Sequence, residues 1–273
     1  MTGGAGFIGS HLVDRLLSMS ARVVVLDDLS NGKTANLPLH AEGLEVLSGD
    51  VSTYDLSSLG RIDGAFTEAA RALLPSFQDP IGDMVVNAGG LVRVLELARQ
   101  GRFKVVHASS GSVYGNPQTV PIREGDPAEP ISPYGVSKLS SEHYCSMYHR
   151  EFGVQVTALR YFNVYGPRQA VSEEMGVIPI FVHRALHNEP LTVFGDGKQT
   201  RDFLNVSDVV SANLLAFLSE KSVGRVMNIG GGGKEVSILE LARTVIALCD
   251  SKSETRFGPP KPGDIRRLAA DSS

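Results

Sequence analysis

Residues 1–10 read MTGGAGFIGS, which spaces glycines three apart at Gly3, Gly6 and Gly9. Such a run has a physical meaning when it joins a strand to a helix. The first glycine permits a tight turn, the second lets backbone approach a pyrophosphate, and the third lets the helix pack on the strand. The downstream half of this context is present: residues 10–19, SHLVDRLLSM, form an amphipathic helical pattern whose N-terminus favours negative charge. The upstream half is missing, because no strand pattern precedes Gly3, and a flexible glycine-rich tail is the alternative.

The next segment weighs against a tail. Residues 22–28, RVVVLDD, are a β-branched run ending in acids, and Asp27 falls about 20 residues beyond the glycines, where an acid accepts hydrogen bonds from a ribose 2′-hydroxyl and repels a 2′-phosphate. NAD is therefore expected rather than NADP. Asp50 closes the following strand, EVLSGD, at a position suited to the adenine end; strands that merely end in solvated acids are the competing account.

Outward from there the strand patterns DGAF (63–66), KVVHAS (104–109) and VTALRY (156–161) alternate with helical ones. Continuous apolar strands separated by helices describe a parallel sheet covered on both faces. The expected fold class is α/β, a Rossmann-like doubly wound parallel sheet over residues 1–166. Beyond Gly166 the rhythm weakens. Helical patterns at 178–188, 207–220 and 237–250 interleave with short strands at 191–195 and 226–230, which predicts a smaller α+β substrate-binding portion over 167–273. No linker and no internal repeat separates the two.

Bulk composition narrows the function classes. Of 273 residues, 42% are hydrophobic and 21% charged, an ordinary globular balance, and the formal charge of −4 argues against nucleic-acid or anionic-membrane partners. Two cysteines, Cys145 and Cys249, cannot build a disulfide framework, and no stretch approaches the roughly 18 apolar residues of a membrane span. A cytoplasmic protein with reduced thiols is expected.

Chemistry enters at residues 132–138, SPYGVSK, which put Tyr134 and Lys138 four apart on one helix face. A phenol of ordinary pKa about 10 becomes a base near neutrality when an ammonium and a positively charged nicotinamide favour its anion. A surface pair on a helix is the plainer alternative. The preceding strand ends in the hydroxyls of Ser109, Ser110 and Ser112 at the carboxyl edge of the sheet, where open α/β folds bind ligands. A hydroxyl there can hydrogen-bond a substrate oxygen passing between alcohol and ketone, or can simply cap a turn. His183 and His187 share a helix face, but no third ligand accompanies them and no metal is expected. The GGGGK run at 230–234 lacks P-loop spacing and leads into a helix capped by Ser237 and Glu240.

Taken together, TGGAGFIGSHL, LDDLSNGK, SSGSVYG, SPYGVSK, RYFNVYGPR, VIPIF, FGDGKQTRDFLNVSDV and KPGDIRR resemble, in order and over essentially the whole chain, the extended short-chain dehydrogenase/reductase family in its NAD-dependent sugar-nucleotide epimerase/dehydratase branch. The resemblance implies a catalytic set of Ser110, Tyr134 and Lys138. It implies that NAD is held by Gly3, Gly6, Phe7, Ile8, Gly9, Asp27, Asp28, Asn31, Gly32, Asp50, Val51, Ala69, Arg71, Asn87, Tyr134, Lys138 and Phe162. For a UDP-sugar substrate it implies Ser110, Ser112, Tyr134, Asn163, Val177, Thr192, Phe194, Arg201, Lys261 and Asp264, with the Arg201 guanidinium on the diphosphate and Val177, Thr192 and Phe194 along the uracil. A homodimer joined through the helices around 88–100 and 134–152 is the family habit.

Within that branch, dehydratases carry an acidic pair just after the catalytic hydroxyl and decarboxylases a glutamate two residues on; here Gly111 and Ser112 stand there. The activity implied is 4-epimerisation of UDP-glucose and UDP-galactose through a 4-keto sugar. Alternatives are a UDP-N-acetylhexosamine or UDP-uronate substrate, a dehydratase, or a non-catalytic NAD-binding protein. Three departures stand out: Lys261 replaces a phosphate-binding arginine, Thr67-Glu68 replaces the usual His-Leu, and Leu268 does not choose between plain and 2-acetamido hexoses. Both termini read as trimmed against the family pattern.

Overall fold

The computed structural model describes residues 1–172, 176–260 and 265–272. Lys261 and Asp264, two of the expected substrate ligands, lie outside the described residues. The elements, in chain order, are α1 (Phe7–Ser18), β1 (Val23–Asp27), β2 (Leu44–Ser48), β3 (Gly64–Thr67), α2 (Leu73–Gln78), α3 (Pro80–Met84), α4 (Gly90–Gly101), β4 (Lys104–Ser110), α5 (Pro133–Phe152), β5 (Val156–Tyr161), β6 (Asn163–Tyr165), α6 (Val177–Leu186), β7 (Leu191–Phe194), β8 (Thr200–Asn205), α7 (Val206–Leu218), β9 (Val226–Ile229), β10 (Glu235–Ser237), α8 (Ile238–Leu248), β11 (Thr255–Gly258) and β12 (Arg267–Leu268). A π-helical turn, Val85–Gly89, joins α3 to α4.

β1 pairs in parallel with β2, and β3-β4-β5-β9 form a second parallel set. Between them lie Met1 and Thr2, which take the central place in the sheet. Thr2 bridges to Leu26 on one side and Thr67 on the other. Its N–H donates to Phe66 O at 3.1 Å, Leu26 N–H donates to Met1 O at 2.8 Å, and Glu68 N–H donates to Thr2 O at 3.0 Å. One continuous sheet results, in the order β2, β1, residues 1–2, β3, β4, β5, β9.

Every residue of β5 and all but the last of β4 are buried, as a sheet covered on both faces requires. One face packs on α1 and α7 through Leu12, Phe66, Val106, Leu159, Val209 and Leu214. The other packs on α4 and α5 through Leu91, Leu95, Val105, Cys145 and Val156. α5 starts where Ser132 caps it, its hydroxyl accepting from Gly135 N–H at 3.1 Å with Pro133 in the first turn, and stops at Gly153 in the left-handed region (φ 67°).

The expected boundary at residue 166 divides the chain but not the layers, because α7 and β9 return to complete the nucleotide-binding sheet. What stands apart is a small α+β unit. There α6 and α8 pack on β7 and β11 around Phe181, Leu191, Val193, Leu241 and Val245, beside a sheet of β6, β8, β10 and β12.

The glycine turn is enforced by contact. Gly3 has φ +70°, and a Cβ there would lie 2.4 Å from Ala69 N; a Cβ on Gly9 would lie 2.2 Å from Gly3 O. Gly9→Ala therefore pushes α1 off the turn it grips. The expected loss is about 1–3 kcal/mol of stability, read by thermal unfolding, together with weaker dinucleotide binding read by titration of the folded variant.

Candidate active site

The turn opens into a cavity of about 460 Å³ along the carboxyl edge of the sheet. Ten of the expected cofactor residues line it: Gly3, Gly6, Asp27, Asp28, Asn31, Gly32, Asp50, Val51, Ala69 and Arg71. Glu68, the departure that the sequence puts near the cofactor, lines it too, and so do Leu26, Ser30, Gly49, Ala70, Ala72, Pro75 and Val86, which the sequence did not single out. Phe7 and Ile8 open α1, whose free amides no side chain caps, leaving them for an anion. Asp27 is buried; its carboxylate accepts from Ala5 N and Leu29 N, both at 2.9 Å, and each oxygen keeps a further lone pair. A glycine cradle, uncapped amides and a buried strand-end acid fit a dinucleotide.

Asn87 and Phe162 sit behind this wall. Asn87, on the π-helical turn, accepts from Arg71 N at 2.8 Å and donates to Asp83 at 2.9 Å and Ser137 at 3.0 Å, tying the cavity to α5. Phe162 packs beneath Gly111 and Tyr114.

α5 carries Tyr134 and Lys138 to the same edge. Lys138 is buried; its Nζ donates to Ala108 O at 2.8 Å and stands 5.7 Å from the centroid of the Tyr134 ring. Tyr134 N–H donates to Ser76 Oγ at 3.1 Å, a support that no sequence motif announced. The Ser110 hydroxyl lies between the Tyr134 phenol, whose anion it favours, and Ser112 Oγ at 3.1 Å. Ser110, Tyr134 and Lys138 thus meet at one corner.

The electrostatics there depart from the expected ones. Burial pushes the Tyr134 phenol up to about 12, the Ser110 hydrogen bond pulls the other way, and the Asp83 and Glu68 charges push it further up. Burial lowers Lys138 to about 8 even though Glu68 and Asp83 favour its charge. In the protein alone the net shift of Tyr134 is therefore upward, driven by desolvation and by two nearby carboxylates.

On the substrate side, Asn163 Nδ2 donates to Asp202 O at 3.4 Å across the β6–β8 pair. The Arg201 guanidinium on β8 donates to the carbonyls of Thr200 at 2.8 Å and Ile265 at 2.7 Å. Val177 begins α6, while Thr192 and Phe194 share the face of β7 opposite the buried Leu191 and Val193. His183 and His187 stack at 4.4 Å on an exposed surface, and no metal-ligand group of three occurs among the described residues. No helix among the described residues is long and apolar enough to cross a membrane.

This architecture is that of the short-chain dehydrogenase/reductase class. The chain belongs to the NAD dependent epimerase/dehydratase family, whose model matches residues 1–230. It is 40% identical over 281 residues to the UDP-glucose 4-epimerase of Mycolicibacterium smegmatis, covering 100% of this chain and 89% of that protein. Among solved structures it superposes with a TM-score of 0.94 and 37% identity on a UDP-glucose 4-epimerase of Thermotoga maritima determined with UDP-glucose, covering 100% of this chain and 89% of that one. A UDP-N-acetylglucosamine 4-epimerase of Methanobrevibacter ruminantium in complex with UDP-N-acetylmuramic acid superposes with a TM-score of 0.95 at 34% identity, covering 100% and 88%.

Proposed function

We propose that this chain interconverts UDP-glucose and UDP-galactose by reversible oxidation at carbon 4, with NAD retained. The observation that carries the reading is the meeting of Ser110, Tyr134 and Lys138 beside the dinucleotide cavity, with glycine and serine at positions 111 and 112, where elimination or decarboxylation calls for carboxylates. Bound NAD supplies the reversible hydride acceptor and, when oxidised, a positive charge that favours the phenolate. Tyr134 takes the proton of the 4-hydroxyl and returns it. Ser110 hydrogen-bonds the same oxygen as it becomes a carbonyl. Lys138, fixed to Ala108 O, holds a positive charge under the Tyr134 ring and a donor toward the cofactor.

Arg201 and Asn163 take the diphosphate, and Val177, Thr192 and Phe194 the uracil, so residues 167–273 supply most contacts to the nucleotide. The enzyme works in the cytoplasm as a homodimer. The dimer face expected from the helices around 88–100 and 134–152 is supported on α5 by exposed Val136 and Tyr144, beside which α2, α3 and the π-helical turn expose Phe77, Ile81 and Val85; a monomer by light scattering would remove that part of the reading.

The test is conversion of UDP-galactose to UDP-glucose by purified protein without added NAD. Formation of a 4-keto-6-deoxy product, or no conversion, would overturn it. A UDP-N-acetylglucosamine arm belongs in the same assay, because the Methanobrevibacter ruminantium structure is as similar as the UDP-glucose 4-epimerase one and Leu268, half-buried on β12, does not discriminate.

A further inference from the structure

Four acidic residues line the cavity: Asp27, Asp28, Asp50 and Glu68. The first three belong to the ends of β1 and β2 and take local backbone or hydroxyl donors such as Leu29 N, Ser30 N and Ser52 N. Glu68 differs in both place and company. It follows β3 directly, next to the Gly3 turn, with its N–H on Thr2 O. It is also the one cavity-lining carboxylate whose charge acts on both Tyr134 and Lys138. It therefore faces the reactive end.

Its carboxylate is held by a relay from behind the sheet. Asn213 Nδ2 on α7 donates to Tyr161 OH at 2.6 Å, and Tyr161 OH donates to Glu68 Oε1 at 2.9 Å. Asn213 is fully buried and Tyr161 nearly so. A buried relay of this kind fixes the carboxylate at one place in the cavity wall rather than letting it swing into solvent.

Oxidised nicotinamide carries a positive charge and the reduced ring does not, so a fixed anion close to the ring attracts only the first. We propose that Glu68 sets the selectivity of this site for oxidised over reduced dinucleotide, acting as a fixed counter-charge positioned by Tyr161 and Asn213. The proposal rests on the reading of the cavity as the NAD site.

Burial raises the Glu68 carboxyl to about 7, against the Tyr161 hydrogen bond and the Lys138 charge, which lower it. The preference for the oxidised form should consequently be present above neutrality and fade below it. The titratable groups facing this corner are Tyr161 on β5, His107 on β4, Tyr134, Lys138, Glu142 and Cys145 on α5, Asp83 on α3 and Arg71 along the wall. Acidification also charges Lys138, which disfavours the oxidised form in the same direction, so Glu68 is isolated by comparing variants at a single pH.

Dinucleotide-free protein is titrated calorimetrically with oxidised and with reduced NAD, above and below neutral pH, as wild type, Glu68→Gln and Tyr161→Phe. Glutamine keeps the acceptor for Tyr161, so the fold is conserved. Above neutrality the ratio of the two affinities should fall several-fold in Glu68→Gln, with little change in affinity for the reduced form and a flatter pH profile. In Tyr161→Phe, which removes a bond that favours the carboxylate, loss of the oxidised preference should set in at higher pH. Equal weakening of both forms in Glu68→Gln, or an unchanged ratio, overturns the proposal while leaving the site assignment intact. Failure of wild type to bind either form overturns both.

Discussion

Tyr134→Phe is expected to lower kcat for 4-epimerisation by about 10²–10⁴-fold, the usual contribution of a positioned acid-base group, while leaving thermal stability and NAD content close to wild type. The phenol oxygen is hydrogen-bonded to the Ser110 side chain, so its removal deletes one hydrogen bond and leaves the ring in place over Lys138. The loss should appear in kcat and kcat/KM alike, because the proton passes only in the transition state. Since burial holds the phenol at about 12 in the protein alone, the fraction of phenolate at neutral pH should rise when oxidised NAD is loaded. Ultraviolet difference spectra of wild type against Tyr134→Phe, with and without NAD, report that rise. Turnover within a few-fold of wild type would remove Tyr134 from the mechanism.

Arg160→Met should be the most destabilising of the substitutions considered. Arg160 and Glu142 form an ion pair with side chains only 8% and 4% exposed. Two hydrogen bonds join them, Nε to Oε1 at 2.8 Å and Nη2 to Oε2 at 2.6 Å. The same guanidinium donates to Tyr114 OH at 2.5 Å and Glu124 O at 3.1 Å, and Ser109 Oγ donates to Glu142 Oε1 at 2.5 Å. The network ties β4, β5, α5 and the segment after Tyr114 at the edge where Ser110 stands. Removing the cation strands a carboxylate in the interior, at a cost of about 3–5 kcal/mol. The melting temperature should fall by roughly 2–4 °C per kcal/mol. Arg160→Met combined with Glu142→Leu should recover much of the loss, because the desolvated charge goes with its partner. A single variant as stable as wild type would show that the pair contributes nothing.

Much of this was legible in the residues. The glycine spacing, Asp27 and the apolar runs of β4 and β5 carry local signals, since turn geometry and two-faced burial each restrict residue type. SPYGVSK likewise placed Tyr134 and Lys138 on one face of α5. The sign of the Tyr134 shift was not legible, because it depends on burial and on Glu68 and Asp83, which reach the corner from distant segments. Nor was the Glu68–Tyr161–Asn213 relay, whose members come from three separate elements. The membership of β9 was hidden for a related reason: a short apolar strand looks the same whichever sheet accepts it.

That membership bears on biosynthesis. The edge of β5 that β9 covers is made long before residues 226–229 leave the ribosome, and until then it presents unpaired amides and carbonyls to any neighbouring chain. Completion of the nucleotide-binding sheet consequently waits on residues 226–229, which lie far from the rest of it along the chain. Pairing with β9 is thus what removes that open edge from contact with other chains.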